Sequence, residues 1–199
     1  MEIFFIRHGE TGGNVAHRHQ VEKTQLTDRG RKQALEVAGE VAQFEPTHLL
    51  TSPLVRAVQT ASIIGEVVDL IPQTDTDFIE LQRPSGMYGN FHLSPMSLWF
   101  YCRWFFGRTT EGESYEALRE RIKRAKEHFK EYPADARVAV VSHSVFINLF
   151  IVHLCDDEPM TLWRATRAFF HILKMKNTQI IPVMFDPQAG TGTCAWFKQ

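Results

Sequence analysis

Apolar residues along this chain fall into two alternating patterns. Ile3-Phe4-Phe5-Ile6, His48-Leu49-Leu50-Thr51 and Val138-Ala139-Val140-Val141 are short, nearly continuous runs. Such runs, rich in β-branched or aromatic residues, read as strands buried on both faces. Between them, apolar residues recur every three or four positions, the signature of helices with one buried stripe. Ala34, Val37, Ala38 and Val41 predict a helix that opens at Leu26-Thr27-Asp28, capped by Thr27 or Asp28, and ends before Pro46. Val55, Val58, Gln59 and Ile63 predict a second, running to Val67, with Ser52 as its cap and Pro53 at its first position. Tyr115, Leu118, Ile122, Ala125 and Phe129 predict a third, opening at Glu113-Ser114. Further helices are expected over 145–154 and from Pro159 to about Phe169. Segment 9–25 reads as a loop and 76–79 as another strand, and the tail reads as strands over 170–175 and 179–184 around a turn at Asn177.

Alternation of this kind predicts an α/β fold: a three-layer sandwich with a mainly parallel central sheet and helices on both faces. The 199 residues are expected to form a single domain, with a small helical cap inserted at about 84–112. In such folds ligands gather at the carboxyl ends of the strands. Composition narrows the partners. A formal net charge of -1 gives no bulk attraction to nucleic acid or to an anionic membrane. Cys102, Cys155 and Cys194 are too sparse for a disulfide framework or a CxxC metal pair, so a reducing cytoplasm is the expected setting. The start, Met1 into Ile3-Phe4-Phe5-Ile6, has no secretion-signal pattern. The longest apolar run, 96–106, is broken by Arg103 and falls short of the roughly 20 residues a membrane span needs.

Three predicted strand ends carry the chemistry: Arg7-His8-Gly9-Glu10-Thr11, Thr51-Ser52-Pro53-Leu54-Val55-Arg56 and Ser142-His143-Ser144. The forked guanidinium groups of Arg7 and Arg56 match phosphate oxygens, and backbone N–H groups at the Ser52-Pro53 helix start would add to the same site. His8, locked between a buried strand and a glycine, is best placed to attack phosphorus, and flanking cations favour its neutral, nucleophilic form. His143 is expected to stay protonated and to stabilise charge on the transferring group. The departing alcohol needs a proton; Glu80 is the candidate donor, with Glu10 and Glu22 as alternatives in the nearby loop.

At these residues the chain resembles the histidine phosphatase superfamily, the phosphoglycerate mutase-like proteins. The similarity runs through Arg7-His8-Gly9-Glu10-Thr11 with Asn14, Leu26-Thr27-Asp28-Arg29-Gly30 with Gln33-Ala34, and Thr51-Ser52-Pro53-Leu54-Val55-Arg56-Ala57-Val58-Gln59-Thr60-Ala61. It continues through Gly112-Glu113-Ser114 and Val140-Val141-Ser142-His143, in the family's order, over about residues 1–180. The resemblance implies that His8 becomes phosphohistidine, that Arg7, Arg56 and His143 form the phosphate pocket with Asn14 near it, and that Glu80 fills the acid position. The chain departs from the family at Leu81 to Gly89, where a Gly-x-Trp-Glu-Gly-like segment is usual, and at Ser144, where glycine is common.

The expected activity is therefore metal-independent hydrolysis of a small phosphorylated substrate, without a cofactor. A phosphoglycerate mutase-type isomerase is the alternative, and a non-catalytic phospholigand-binding module a more distant one. His17, His19 and Glu22 could be read as metal ligands, but the loop at the pocket mouth is the expected place for the histidines, and no metal is expected. His48, His92, His128, His153 and His171 belong to no constellation, and the stretch Cys155-Asp156-Asp157-Glu158 reads as a solvated helix end. The aromatic segment 96–106 reads as a lid contacting an apolar part of the substrate or, equally, as a plain core helix. A homodimer interface or a shallow membrane contact is a third reading of it.

Overall fold

The computed structural model describes residues 1–108, 111–155 and 161–193. Asp156, Asp157 and Glu158 of the expected solvated helix end, the helix start at Pro159, and Cys194 lie outside the described residues. Strands β1 (Glu2–Arg7), β2 (His48–Thr51), β3 (Gln73–Thr74), β4 (Arg137–Ser142), β5 (Ile180–Asp186) and β6 (Thr191–Thr193) form one sheet in the order β3-β2-β4-β1-β5-β6. β3, β2, β4 and β1 run parallel, and β5 runs antiparallel to both of its neighbours. The expected α/β sandwich with a mainly parallel sheet is the observed one.

The short apolar runs feed two cores at once. In β1, Ile3 and Phe5 serve one core while Ile6 serves the other; in β4, Val138 and Val140 alternate with Ala139 and Val141 in the same way. Helices α2 (Asp28–Gln43) and α3 (Val55–Val68) cover one face through Val37, Ala38, Val41, Ala57, Ala61 and Ile64. Helices α5 (Tyr115–Phe129), α6 (Ser144–Cys155) and α7 (Leu162–Lys174) belong to the other core, where Phe129 and Phe150 pack on Phe5. The inserted segment supplies α4 (Pro95–Phe105), capped by Ser94, which buries Phe100 and Trp104 in that second core.

Several expectations change. The helix expected from Ser52 begins at Val55 instead, after Leu54, and Pro53 precedes it. Its buried face is Arg56, Ala57, Thr60, Ala61, Ile64 and Gly65, rotated from the expected Val55, Val58, Gln59 and Ile63. α3 packs closely on α2, and small residues permit that approach, so side-chain size misleads about the inward face. Segment 76–79 is a 3₁₀ turn (Thr76–Phe78), because Asp75 accepts the Asp77 N–H at 2.8 Å and folds the chain back. Segment 170–175 is not a strand: α7 runs to Lys174, with Ala165, Ala168, Ile172 and Met175 packed inward at helical spacing. Within the expected loop 9–25 there is a single helical turn, α1 (Gly12–Val15), closed by a capping box between Thr11 and Asn14.

The start of α2 is seated backbone to backbone on the chain leaving β1. A Cβ built on Gly30 would fall 2.1 Å from the Glu10 carbonyl oxygen, and one on Gly9 would fall 2.5 Å from the Gly30 carbonyl oxygen. Thr27 caps this end, accepting the Gly30 N–H at 3.0 Å, while its own N–H donates to Glu10 O at 2.9 Å. Two alanine substitutions in the same helix should therefore have opposite signs. Gly30→Ala should destabilise by about 1–3 kcal/mol through overpacking. Gly39→Ala, exposed and with nothing within 4 Å of the new Cβ, should stabilise by roughly 0.5–1 kcal/mol through helix propensity. Urea midpoints of the two variants check this; two shifts of the same sign would refute it.

Candidate active site

Strand register brings the site residues together. Arg7 is level with Ser142 in the β1–β4 pair, and Thr51 with Val141 in the β2–β4 pair. The pairing continues one residue past the strands, where His8 N donates to Ser142 O and Ser52 N to Val141 O, each at 3.0 Å. His8 and His143 thus emerge side by side, with ring centroids 5.1 Å apart. His8 Nδ1 lies 2.7 Å from the Gly9 carbonyl oxygen. A carbonyl can only accept, so Nδ1 carries the proton and Nε2 keeps the lone pair. Gly9 N in turn donates to Thr60 Oγ1 at 3.1 Å, and that hydroxyl donates to Arg56 O at 2.7 Å. One turn of α3 therefore fixes both the nucleophile's loop and the second arginine. Arg56 Nη1 donates to Val21 O at 3.2 Å, and Arg7 Nη1 donates to Met175 O at the end of α7. The expected contribution of backbone N–H groups from the Ser52-Pro53 turn is not seen: Leu54 N donates to Ser52 Oγ and Val55 N to Glu22 O.

Burial dominates the electrostatics. It holds the His8 pKa well below its ordinary value of 6.5; Arg56 and Arg7 push the same way, and the Gly9 bond opposes them. Burial, then Arg56, His8, Arg7 and Arg121, does the same to His143. Burial thus favours the neutral form of both rings, against the protonated form expected of His143. His143 Nε2 pairs with Ser52 Oγ at 2.8 Å, while Nδ1 is buried without a partner, as are Arg7 Nε and Arg56 Nε. Burial lowers Arg56 to about 10 against the attraction of Glu80, so it remains cationic at neutral pH. A phosphate dianion between the arginines would offset their field at His143 and favour its protonation there.

Glu80 lines the same cavity as Arg7, His8 and Arg56. It sits against the start of α6, where Oε1 accepts from Leu81 N at 2.9 Å and Phe146 N at 3.3 Å, and Oε2 from Val145 N at 3.5 Å. Glu10 is turned to the start of α2, 3.0 Å from Thr27 Oγ1 and 3.6 Å from Arg29, and neither it nor Glu22 lines the cavity. Asn14 does: its Oδ1 accepts from Thr11 N at 3.2 Å and from Asn177 Nδ2 at 3.1 Å, leaving the Asn14 amide nitrogen as the donor for an anion. Asn177 also donates to His8 O at 3.1 Å.

Two positioning residues were not anticipated, Asn177 and Arg121. Arg121 is buried and makes a forked pair with Glu113 at 2.7 and 2.6 Å. Its Nη1 donates to the carbonyls of Asp77 and Ile79, 2.8 Å each, immediately before Glu80. The Gly112-Glu113-Ser114 motif thus has three tasks. Gly112 turns at φ +76, Glu113 holds Arg121, and Ser114 caps α5 by accepting Ala117 N at 3.0 Å. The clue to Arg121 was a charge set inside the buried stripe of Leu118, Ile122 and Ala125.

The cavity has a volume of about 640 Å³. His17, His19 and His92 line it, with His92 departing from the structural role expected of it. His19 Nε2 is 2.9 Å from Ser97 Oγ, and burial, with Arg83 and His92, lowers its pKa to about 3. Among the described residues, the group that could hold a metal ion is Asp75, Asp77 and His128, none of which lines the cavity. Arg83 does line it, donating to Tyr101 Oη at 2.9 Å. The aromatic segment divides: Trp104 is in the core and borders the cavity, while Trp99 is 64% exposed and does not. Among the described residues no helix is long and apolar enough to cross a membrane.

Comparison with known proteins gives the family and the fold. The family model described as "Histidine phosphatase superfamily (branch 1)" matches residues 3–188. Proteins named "Probable phosphoglycerate mutase GpmB" are similar over 94% of this chain and 86% of their own length, with 27% identity in Shigella boydii serotype 18 and 28% in Escherichia coli K12. Among solved structures, the alpha-ribazole phosphatase of Shigella flexneri superposes with a TM-score of 0.77 at 23% identity, covering 98% of this chain and 94% of that one. A mycobacterial glucosyl-3-phosphoglycerate phosphatase, complexed with VO3, superposes with a TM-score of 0.72 at 24% identity, covering 92% of each chain.

The neutral histidines carry a pH signature. Their native pKa values lie below the unfolded value near 6.5, so below that pH the unfolded chain binds protons that the native site refuses. The stability contribution is complete above pH 6.5 or so and is lost as pH falls from there toward the native values. Urea midpoints should be level from pH 7 to 8 and decline below 6.5, each histidine adding a slope of up to about 1.4 kcal/mol per pH unit. His143→Asn should make that decline shallower; an unchanged slope would mean that His143 titrates normally.

Proposed function

The chain belongs to the histidine phosphatase superfamily, branch 1, and on that premise we propose that it hydrolyses phosphomonoesters through a phosphohistidine on His8. The observation that carries this reading is the bond from His8 Nδ1–H to Gly9 O. It leaves a neutral Nε2 lone pair on a ring that borders the cavity together with Arg7 and the buried Arg56. In the first step Nε2 attacks phosphorus, the bond from phosphorus to the alcohol oxygen breaks, and the Glu80 carboxyl gives its proton to that oxygen. In the second, Glu80 takes a proton from water, the water oxygen bonds to phosphorus, the N–P bond breaks, and inorganic phosphate leaves. Arg7, Arg56 and the Asn14 amide bind the non-bridging oxygens, and His143 donates to them once the dianion has raised its pKa. Arg121 is a positioning residue for Glu80. The sparse cysteines, of which Cys102 is a free thiol, support a reducing cytoplasm as the protein's setting.

A mutase reading is favoured by the names of the curated relatives and by Arg83, a third arginine beside the cavity. A mutase must return the phosphoryl group to its own intermediate and exclude water. Release of free phosphate against appearance of an isomerised phosphoester separates the two.

Hydrolysis of p-nitrophenyl phosphate in excess EDTA is the direct test. Wild type should turn over and acquire acid-labile phosphate, and His8→Ala should lose both; activity surviving in His8→Ala would remove His8 as nucleophile. Glu80→Gln should lower kcat by about 10²–10⁴ on alkyl phosphates, whose leaving group needs a proton. The loss on p-nitrophenyl phosphate should be much smaller, since nitrophenolate leaves unprotonated. Equal losses on the two substrates would exclude Glu80 as the acid.

A further inference from the structure

We propose that the alcohol part of the substrate is a flexible apolar chain, of alkyl or isoprenyl type, held between α4 and α7; this deepens the phosphomonoesterase reading and rests on it. The cavity that begins at Arg7, His8 and Arg56 continues to these two helices. Tyr101 and Phe105 of α4 border it on one side, and Phe169, Phe170, Ile172 and Leu173 of α7 on the other. Neither helix puts a charged side chain on the cavity, although together they carry Arg103, Arg164, Arg167, His171 and Lys174. The charged groups and histidines that line it come from strand ends, from loops and, in Arg56, from the first turn of α3; two of them reach α4, Arg83 through Tyr101 Oη and His19 through Ser97 Oγ. The cavity is therefore uneven, with anion chemistry around His8 and its most apolar wall on α7.

A phosphate group fills a small part of about 640 Å³, a volume in the range of sites that enclose drug-sized ligands. What fills the remainder must suit its walls. The hydroxyls of a sugar, the edges of a base or the ammonium and carboxylate of an amino acid would lose water for few partners on these helices, where the Tyr101 and Thr166 hydroxyls are already bonded to Arg83 and to Trp163 O, an unfavourable exchange. A hydrocarbon chain incurs no such cost. Phe170 and Leu173 line the cavity yet are 60% and 48% exposed, large apolar side chains that a chain leaving the phosphate end would cover. The two ends are physically joined, since the last residue of the α7 wall, Met175, accepts the hydrogen bond from Arg7. A second copy of the protein seated permanently in the groove would close the approach to His8, so a substrate chain is the occupant that suits the position.

Binding of n-alkylphosphonates, which cannot be hydrolysed, tests the groove independently of catalysis. Calorimetry on the full chain, with probes from ethyl to decyl kept below their micellar concentrations, should show Kd falling about fourfold per added methylene, the fold-change given by roughly 0.8 kcal/mol of transfer free energy, until the groove is full. The heat capacity change should become more negative along the series. Phe170→Ser and Leu173→Ser, at exposed positions that spare the core, should flatten the dependence on length. A Kd independent of chain length, or phosphoglycolate binding more tightly than hexylphosphonate, overturns the proposal. So does a result in which the two serine variants leave the series unchanged and convert a dimer to a monomer in sedimentation. Turnover of p-nitrophenyl phosphate by the same preparation separates the two levels of inference. Turnover with flat binding removes the groove alone. Steep binding without turnover of any phosphomonoester removes the phosphatase reading and leaves the groove.

Discussion

The register of three parallel strands is the constraint on which this molecule depends. β2, β4 and β1 end level, and the ladder continues just far enough to hold His8 and Ser52 by their backbones. Both faces of these strands are buried, so polarity cannot tell one register from another. Size can: Ile3, Phe5, Val138 and Val140 feed the larger, aromatic core, while Ala139 lies on the face that α2 and α3 approach closely. A slip of one residue would exchange those faces. It would also carry Arg7 and His8 out of line with His143, so the packing that stabilises the sheet is also what sets the spacing of the two imidazoles.

The concentration of like charge at these strand ends opposes folding. Arg7, Arg56 and His8 border one cavity with Glu80 as its carboxylate, and His143 is fully buried beside His8. The histidines meet this by staying neutral. The arginines cannot, and are held by backbone carbonyls of Val21 and Met175 that lie far from them in sequence. Glu80 is held from behind by the α6 N–H groups and from below by Arg121 and Glu113. A buried pair of that kind contributes little net stability but is costly to break by removing one partner, which makes it suited to fixing a position.

How much of this was legible in the sequence follows from where each residue acts. Arg7, His8, Arg56 and His143 each sit within a few residues of an apolar strand run, so finding the strands located the site. The helices α2 and α5 were readable because their stripes use residues whose size matches their burial. α3 was misread by face, since its inward residues are Ala57, Ala61 and Gly65 while Val67 is turned to solvent. The segment after Phe169 was misread by period: Phe170, Ile172 and Leu173 look like a strand until Ala165, Ala168 and Met175 are counted as one stripe. Asn177 and Arg121 act through carbonyls of distant segments, and backbone carbonyls leave no mark on a sequence. The charge state of His143 depended on its burial, which spacing alone does not reveal.

The contrast between the residues around His8 and the apolar wall of the cavity also bears on how such a protein changes over generations. The residues proposed for the chemistry are tied by hydrogen bonds to the strand ends, to α3 and to the start of α6, where alteration disturbs the fold. Those of α4 and α7 that face the cavity include Phe170 and Leu173, which the fold scarcely uses. Mutation can therefore sample one set freely while selection against misfolding preserves the other. A lineage built this way can acquire new substrates by drift at the helical wall and keep its reaction unaltered, so relatives that diverge in what they act upon need not diverge in how they act.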